Sequence, residues 1–195
     1  MVMANRARAR TRLDAPPRIR PWTRADLARL PDDGNRYEVL DGQLLVTPQA
    51  SRSHQRVALG FAIAIERYVQ PHGIAHVVGP GAVPFGANEL QPDVQVVPGM
   101  DLTATWEAGP APILVIEVLS RSTARRDFGI KLEAYHDRVN VPTVWIVDRE
   151  KREVHVCERG MPPRAERQAL QWHAPGAPKP LRIDLPAFFR EALGE

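Results

Sequence analysis

The segment Ile113–Leu119 constrains the fold most, because six of its seven side chains are apolar and Glu117 alone is polar. Successive side chains of a strand point to opposite faces, so a strand that is apolar at nearly every position must be covered on both faces. A second, mostly apolar run, Val141–Asp148, follows after a stretch with helical spacing. Strand, helix and strand in this order indicate an α/β protein with a central sheet between layers of other structure.

The remaining predicted elements complete a mixed central β-sheet flanked by helices, with an N-terminal β-hairpin. Asp41-Gly42 between two short runs is a strong hairpin signal, and Ser51 or Ser53 is expected to cap a helix that ends near His72-Gly73. The predicted strands are Arg36–Leu40, Gln43–Thr47, Ile74–Val78, Ala82–Phe85, Gln91–Val97, Ile113–Leu119, Val141–Asp148, Glu153–Glu158 and Leu181–Ile183. Three further helices are predicted over 23–30, from Ser122 or Thr123 to about Arg138, and from Pro186.

Length and composition favour one domain. The 195 residues contain no apolar run long enough for a membrane-spanning helix, so no membrane partner is expected. The single cysteine, Cys157, excludes a disulfide framework and fits a cytoplasmic protein. Residues 1–20 carry a net charge of +5 and the rest −2, which predicts a basic, disordered tail over 1–20 that is either simply solvated or an aid to phosphate binding. A single domain is expected over 21–195, with a loop-rich extension over 160–195.

Glu117 and Asp93 are the candidate metal-binding acids. A carboxylate on a strand covered on both faces loses its hydration, which is costly unless a cation compensates the charge. Asp93 lies in the preceding apolar strand, 24 positions before Glu117, so neighbouring strands can bring the two carboxylates together. Such a pair repels unless a proton or a divalent cation lies between its members, and oxygen ligands favour Mg²⁺. The alternatives are an ion pair of Glu117 with Arg125 or Arg126, and a local turn-capping role for Asp93.

Lys131 is the candidate catalytic cation. It lies four positions from both Asp127 and Tyr135, so the three side chains share one helix face. One interpretation is a solvated ion pair with Asp127, whose loss changes stability by at most about 0.5 kcal/mol. The other is that the helix leans over the carboxylates, so that the ammonium group stabilises charge on a phosphate or orients a water.

Glu38 and His54 are the remaining candidates. Glu38 lies in the first hairpin strand, where it is either functional or paired at a sheet edge. His54 lies in the first turn of the long helix, where a histidine is usually structural or exposed. If His54 joins Asp93 and Glu117 at an ion, the mixed nitrogen and oxygen ligands favour Mn²⁺ over Mg²⁺. Trp145 is expected in the core.

These features lie in five segments: RYEVLDGQLLVTP, SHQRV, QPDVQVV, VIEVLSRSTARRDFGIKLEAY and VPTVWIVD. In this order they resemble the Uma-two (Uma2) family of restriction-endonuclease-like domains, in the PD-(D/E)XK nuclease superfamily, over about residues 20–159. The resemblance implies a restriction-endonuclease-like core and a Mg²⁺- or Mn²⁺-dependent site in which Asp93 and Glu117 bind the metal. The superfamily pattern has a lysine two residues after the second acid, where this chain has Leu119. Lys131 resembles a relocated lysine within the family's K-L-E-x-Y pattern.

The predicted function is a metal-dependent endonuclease that hydrolyses phosphodiester bonds, with DNA as the expected nucleic acid. The predicted catalytic residues are Asp93, Glu117, Lys131 and Glu38, and the predicted metal ligands are Asp93, Glu117 and His54. The resemblance also implies a homodimer, because many nucleases of this fold pair. Two alternatives stay open: a weak or inactive nuclease-fold protein that acts as a nucleic-acid-binding or regulatory module, and a metal-dependent hydrolase of a small phosphorylated molecule.

Overall fold

The computed structural model describes residues 20–99, 101, 103–120 and 127–195. The predicted tail therefore lies outside the described residues except for Arg20, as do Arg125, Arg126 and the predicted helix start at Ser122 or Thr123. The side chain of Asp127 is also outside them. No helix within the described ranges is long and apolar enough to cross a membrane.

The described strands form three sheets. The strands are β1 (Arg36–Leu40), β2 (Gln43–Thr47), β3 (Ala75–Val78), β4 (Val83–Phe85), β5 (Asn88–Leu90), β6 (Val94–Pro98), β7 (Leu114–Val118), β8 (Thr143–Asp148), β9 (Glu153–Glu158), β10 (Arg164–Glu166), β11 (Ala169–Trp172) and β12 (Leu181–Asp184). The α-helices are α1 (Arg52–Val69) and α2 (Leu185–Leu193), with a short 3₁₀ helix at Arg24–Arg29.

The central sheet has six strands in the order β10-β9-β8-β7-β6-β3. β7 and β8 are parallel, which fits the strand–helix–strand order of the sequence, and the other neighbours are antiparallel. A four-stranded sheet has the order β2-β1-β5-β4, and β11 pairs with β12. The mixed central sheet confirms the predicted fold class.

The hairpin of β1 and β2 has the predicted bounds. Asp41 and Gly42 have φ values of 50° and 76°, and positive φ at both central residues is the geometry that matches the twist of two-residue hairpins. β5 was not predicted: it is a three-residue strand that pairs with β1 and β4. Its pairing with β1 positions the hairpin relative to the segment that leads into β6.

α1 covers one face of the central sheet. Ser51 caps it by accepting a hydrogen bond from the His54 backbone amide at 3.3 Å. The apolar positions spaced along α1 pack with α2 and with the core ring of Trp145, whose centroid lies 5.9 Å from that of Phe61. Trp145 is fully buried, as predicted. His54, in the first turn of α1, lies 2.9 Å from the carbonyl oxygen of Val118, so the N-terminal end of α1 lies where β7 ends.

The opposite face of the sheet is covered by β1, β2 and the helical segment before β8. Leu40, Leu45, Val115, Tyr135 and Ile146 share one apolar cluster there. A continuous helix is expected from the sequence, whereas the structure has a kink within Asp127–Lys131, where Gly129 has non-helical φ and ψ values of −104° and −108°. Ala134–Val139 then has wide turns with i→i+5 hydrogen bonding. Side-chain periodicity identifies a helix but does not reveal such a widening of its turns.

The C-terminal part contains more regular structure than the loop-rich extension predicted there. β10, β11 and β12 all fall within residues 160–195 together with α2. Asp184 caps α2 by accepting a hydrogen bond from the Ala187 amide at 2.8 Å. β12 and α2 lie where the sequence predicts a strand and a helix, whereas β10 and β11 are not predicted, because each is a short run close to prolines.

Gly79 permits a close backbone approach beside Asp93. A Cβ atom at Gly79 would lie 2.5 Å from the Asp93 carbonyl oxygen, and backbone atoms cannot rotate away as a side chain can. We expect Gly79→Ala to lower the free energy of unfolding by about 1–3 kcal/mol, the usual cost of overpacking. Chemical denaturation measures this, with Gly109→Ala as control, because the nearest atom to its added Cβ lies at 3.4 Å. Equal stability of the two variants would contradict the prediction.

Candidate active site

Asp93 and Glu117 occupy opposite backbone positions on neighbouring segments of the central sheet. β6 and β7 pair so that Val94 lies opposite Ile116, which puts Asp93, the residue before β6, opposite Glu117 near the end of β7. The Val118 amide donates a hydrogen bond to Asp93 Oδ2 at 2.8 Å. The Asp93 carboxylate is thus fixed to the backbone of the strand that carries the second acid.

Two further side chains hold Asp93. Arg36 NH1 donates to Asp93 Oδ1 at 2.7 Å, and His54 Nε2 lies 3.2 Å from Oδ2. Burial of Asp93 would raise its pKa, but the hydrogen bond from His54 and the charge of Arg36 outweigh burial and lower the pKa to about 2. Asp93 is therefore an ionised carboxylate at neutral pH.

Glu117 lies in a buried polar cluster on the face of the central sheet that β1, β2 and the helical segment before β8 cover. Lys131 Nζ is 3.2 Å from Glu117 Oε1, and the Tyr135 hydroxyl donates to the same oxygen at 2.8 Å. Burial raises the pKa of Tyr135 well above its ordinary value, and the charges of Glu117 and Glu38 raise it further. Tyr135 is therefore a neutral donor that orients Glu117.

Lys131 also binds Glu38. Its Nζ lies 2.8 Å from Glu38 Oε1, an oxygen that accepts a second hydrogen bond from the Gln91 amide at 2.8 Å. Glu38 Oε2 is buried and has no hydrogen-bond partner. Lys131 is completely buried, so the interpretation of Lys131 as a solvated surface ion-pair partner is wrong.

His54 contacts two oxygen atoms through one nitrogen. Its Nε2 lies 2.9 Å from the Val118 carbonyl oxygen and 3.2 Å from Asp93 Oδ2. Because a carbonyl oxygen can only accept, Nε2 carries a hydrogen here and cannot bind a metal at the same time. Nδ1 is buried without a hydrogen-bond partner. The role of His54 as a metal ligand stays a prediction, while its contact with Asp93 supports a positioning role.

Arg36 belongs to the cluster but was not predicted as a site residue. It opens β1 two positions before Glu38, so the two side chains share one face of the strand. Burial would lower the pKa of the guanidinium, but the charges of Glu117, Asp93 and Glu38 outweigh it and raise the pKa. Only its spacing from Glu38 signalled this position in the sequence.

A cleft of about 490 Å³ opens onto Asp93. Arg36, His54 and Arg149 are the basic side chains among the described residues that line it. Arg149 NH1 donates to the hydroxyls of Ser51 and Ser53 at 3.0 and 2.8 Å. No carboxylate among the described residues pairs with Arg149, so its charge is available to an anion in the cleft.

The Uma2 family, described as "Putative restriction endonuclease", has a sequence profile that matches residues 24–188. The chain belongs to this family. Its fold is also similar to a crystal structure of "a putative nuclease belonging to DUF820" from Anabaena variabilis ATCC 29413, with a TM-score of 0.74 and 18% identity. That similarity covers 88% of this chain and 99% of the other. No curated protein matches the chain.

The buried carboxylates of this Uma2 chain are chemically suited to a metal ion that takes two protein carboxylates as ligands. Among the described residues, no group of three or more His, Cys, Asp or Glu side chains is arranged to hold a metal. Mg²⁺ needs fewer protein ligands, since it retains waters and takes oxygens from substrate phosphates. The three carboxylates of Glu38, Asp93 and Glu117 exceed the cations of Arg36 and Lys131 by one charge, and Glu38 Oε2 lacks a donor.

Lys131→Met tests the buried cluster in this Uma2 protein. The substitution removes the ammonium between Glu38 and Glu117, and breaking a buried ion pair in this way costs about 3–5 kcal/mol of stability. Denaturation with Lys151→Met as control measures this. The Lys151 side chain is 66% exposed, so solvent screens its ion pairs with Asp148 and Glu153 and they contribute at most about 1 kcal/mol; Glu153 also keeps its partner Arg167. Adding Glu38→Gln to Lys131→Met should recover part of the loss. A loss of stability no larger than that of Lys151→Met would contradict the placement of Lys131 between Glu38 and Glu117.

The lowered pKa of Asp93 predicts a pH dependence. A carboxylate with a pKa of about 2 in the folded state and about 3.9 in the unfolded state contributes about 2–3 kcal/mol of stability. This contribution is present above about pH 4 and is lost as the pH falls towards 2, because the unfolded state binds the proton first. The stability difference between wild type and Asp93→Asn should therefore shrink over that window. A difference that stays constant from pH 5 to pH 2 would contradict it.

Proposed function

We propose that this protein is a metal-dependent endonuclease that hydrolyses phosphodiester bonds in DNA, with Mg²⁺ or Mn²⁺ as cofactor. The observation that carries the proposal is the buried cluster in which Lys131 binds Glu38 and Glu117. Asp93 is fixed to the strand that carries Glu117 and lines the cleft. Membership of a family described as restriction endonucleases supports the reaction type. Burial of ionised groups is costly, which makes a cluster of this kind a candidate site of chemistry.

Asp93 and Glu117 are the proposed ligands of the ion. When bound, such an ion polarises a phosphoryl oxygen and lowers the pKa of an attacking water. His54 and the Val118 amide hold Asp93 in place, and Tyr135 holds Glu117. Lys131 keeps positive charge beside Glu117, where it offsets negative charge that develops on the phosphate. Arg149, which lines the cleft, binds a neighbouring phosphate of the nucleic-acid strand.

We further propose that the substrate is DNA, that the protein forms a homodimer and that it acts in the cytoplasm. The uncompensated Arg149 in the cleft supports a polyanionic substrate. Cys157 is a free, buried thiol whose pKa burial raises to about 11, which is compatible with a reducing compartment. Light scattering that shows a monomer at working concentration would contradict the homodimer.

A nucleic-acid-binding module without useful catalysis is the second candidate. It is favoured by Leu119, which packs in the apolar cluster where the superfamily pattern has lysine. It is also favoured by the contacts that occupy both oxygens of Asp93. Binding of DNA without any metal dependence would select this candidate.

Plasmid nicking with Mg²⁺ or Mn²⁺ tests the enzyme proposal. Asp93→Asn and Glu117→Gln should each lower the nicking rate at least a hundredfold, because each removes a charge that the ion requires. Glu117→Gln should also abolish metal binding measured by calorimetry. Glu158→Gln, an exposed substitution on β9, is the control and should keep the wild-type rate. Wild-type protein that cuts neither DNA nor RNA with either ion would overturn the proposal.

A further inference from the structure

We propose that Arg36 is an exchangeable counter-ion: it occupies Asp93 when no metal is bound and transfers to a phosphate of the substrate when the ion binds. The inference rests on the proposed nuclease function and adds a coupling between metal and substrate binding. It assigns to Arg36 a role that neither the family description nor the predicted acidic pair contains.

The guanidinium of Arg36 binds the Asp93 oxygen that a metal ion would need. NH1 lies 2.7 Å from Oδ1, while Oδ2 is held by the Val118 amide and by His54. Oδ1 is thus the Asp93 oxygen bound by a side chain that can be replaced without breaking the backbone contact. Arg36 and Asp93 both line the cleft, so a metal ion that binds Oδ1 from the cleft has to displace the guanidinium.

The Arg36 guanidinium and a metal ion compete for Asp93 because both are positively charged. Arg36 interacts electrostatically with Glu117 and Glu38 as well as with Asp93, so its charge stabilises the same three carboxylates that would attract a divalent ion. Two positive charges at one carboxylate repel, and the repulsion is strong where water is excluded. Bound metal and an Asp93-bound Arg36 therefore disfavour each other.

Arg36 can leave Asp93 for the cleft, whereas Lys131 cannot. The Arg36 side chain is 20% exposed and lines the cleft, while Lys131 is completely buried and bound to two carboxylates. Arg36 Nε is buried and has no hydrogen-bond partner, so the guanidinium has donors left over. A guanidinium that binds carboxylate is also suited to the planar recognition of phosphate oxygens.

Exchange of this kind makes metal and nucleic acid bind cooperatively. A phosphate in the cleft that draws Arg36 away from Asp93 removes the competitor of the ion, so each ligand should raise the affinity of the other by the same factor. Arg149 does not share this property, because it contacts Ser51 and Ser53 and none of the acids. The two arginines of the cleft are therefore a matched pair for the experiment.

The test is Mn²⁺ affinity, measured by calorimetry without nucleic acid, for wild type, Arg36→Gln, Arg36→Lys and Arg149→Gln. Arg36→Gln should bind Mn²⁺ at least tenfold more tightly than wild type. Its melting temperature should also rise more than that of wild type when Mn²⁺ is added. Arg36→Lys, which keeps the charge, should gain less, and Arg149→Gln should match wild type. A residue with only a structural role would leave metal affinity unchanged or weaken it when replaced. Unchanged or weaker binding by folded Arg36→Gln would overturn the inference.

A second measurement uses the wild-type protein and does not depend on the folding of a variant. A phosphorothioate-linked DNA duplex should raise the Mn²⁺ affinity of wild type about tenfold and that of Arg36→Gln much less. Equal enhancement in both, or none in wild type, would overturn the exchange while leaving the nuclease proposal intact. Absence of Mn²⁺ binding in every protein, with and without duplex, would overturn the nuclease proposal and this inference together.

Discussion

The compensation of three buried carboxylates by two buried or half-buried cations governs the rest of this structure. Glu38 comes from β1, Asp93 precedes β6, Glu117 lies on β7, and Lys131 comes from the helical segment before β8. None of these charges could be buried alone without a large desolvation cost. The hairpin sheet, the central sheet and the helical segment therefore have to dock so that Lys131 reaches both Glu38 and Glu117.

Stability alone does not account for this cluster. Replacing a buried ion pair by apolar residues of similar volume is often neutral or stabilising, and the surrounding positions on the same face are already apolar, such as Val115 and Leu119. Four elements have to meet accurately to satisfy the charges. The arrangement is understandable if the acids are needed for a further cation and the cost of holding them is offset by Lys131 and Arg36.

The local elements were predictable from sequence because their signals are local. The Asp41-Gly42 turn, the Ser51 cap and the apolar run around Glu117 each fix their own element, and the structure has all three. The pairing of β6 with β7 put Asp93 opposite Glu117 as expected. Lys131 also lies beside Glu117, although the sequence left its burial open.

Contacts between distant segments were not predictable in the same way. Arg36 lies 57 positions before its partner Asp93, and no periodicity links them. Arg149 reaches Ser51 across 98 positions, with only the fold to bring them together. β5 is a three-residue strand that pairs with the adjacent β4 and also with β1, a strand far away in the sequence. A single sequence contains no pattern that reports such pairings.

Helical spacing explains how a cation reaches Glu117 without a lysine on the strand itself. Leu119 packs in the apolar cluster, so the superfamily's usual position for the charge is given to the core. Lys131 and Tyr135 are four positions apart and therefore share one helix face, so both reach the same Oε1 of Glu117. A helical segment that packs over the strand can in this way place an ammonium group beside the acid, while the strand position itself is given to the core.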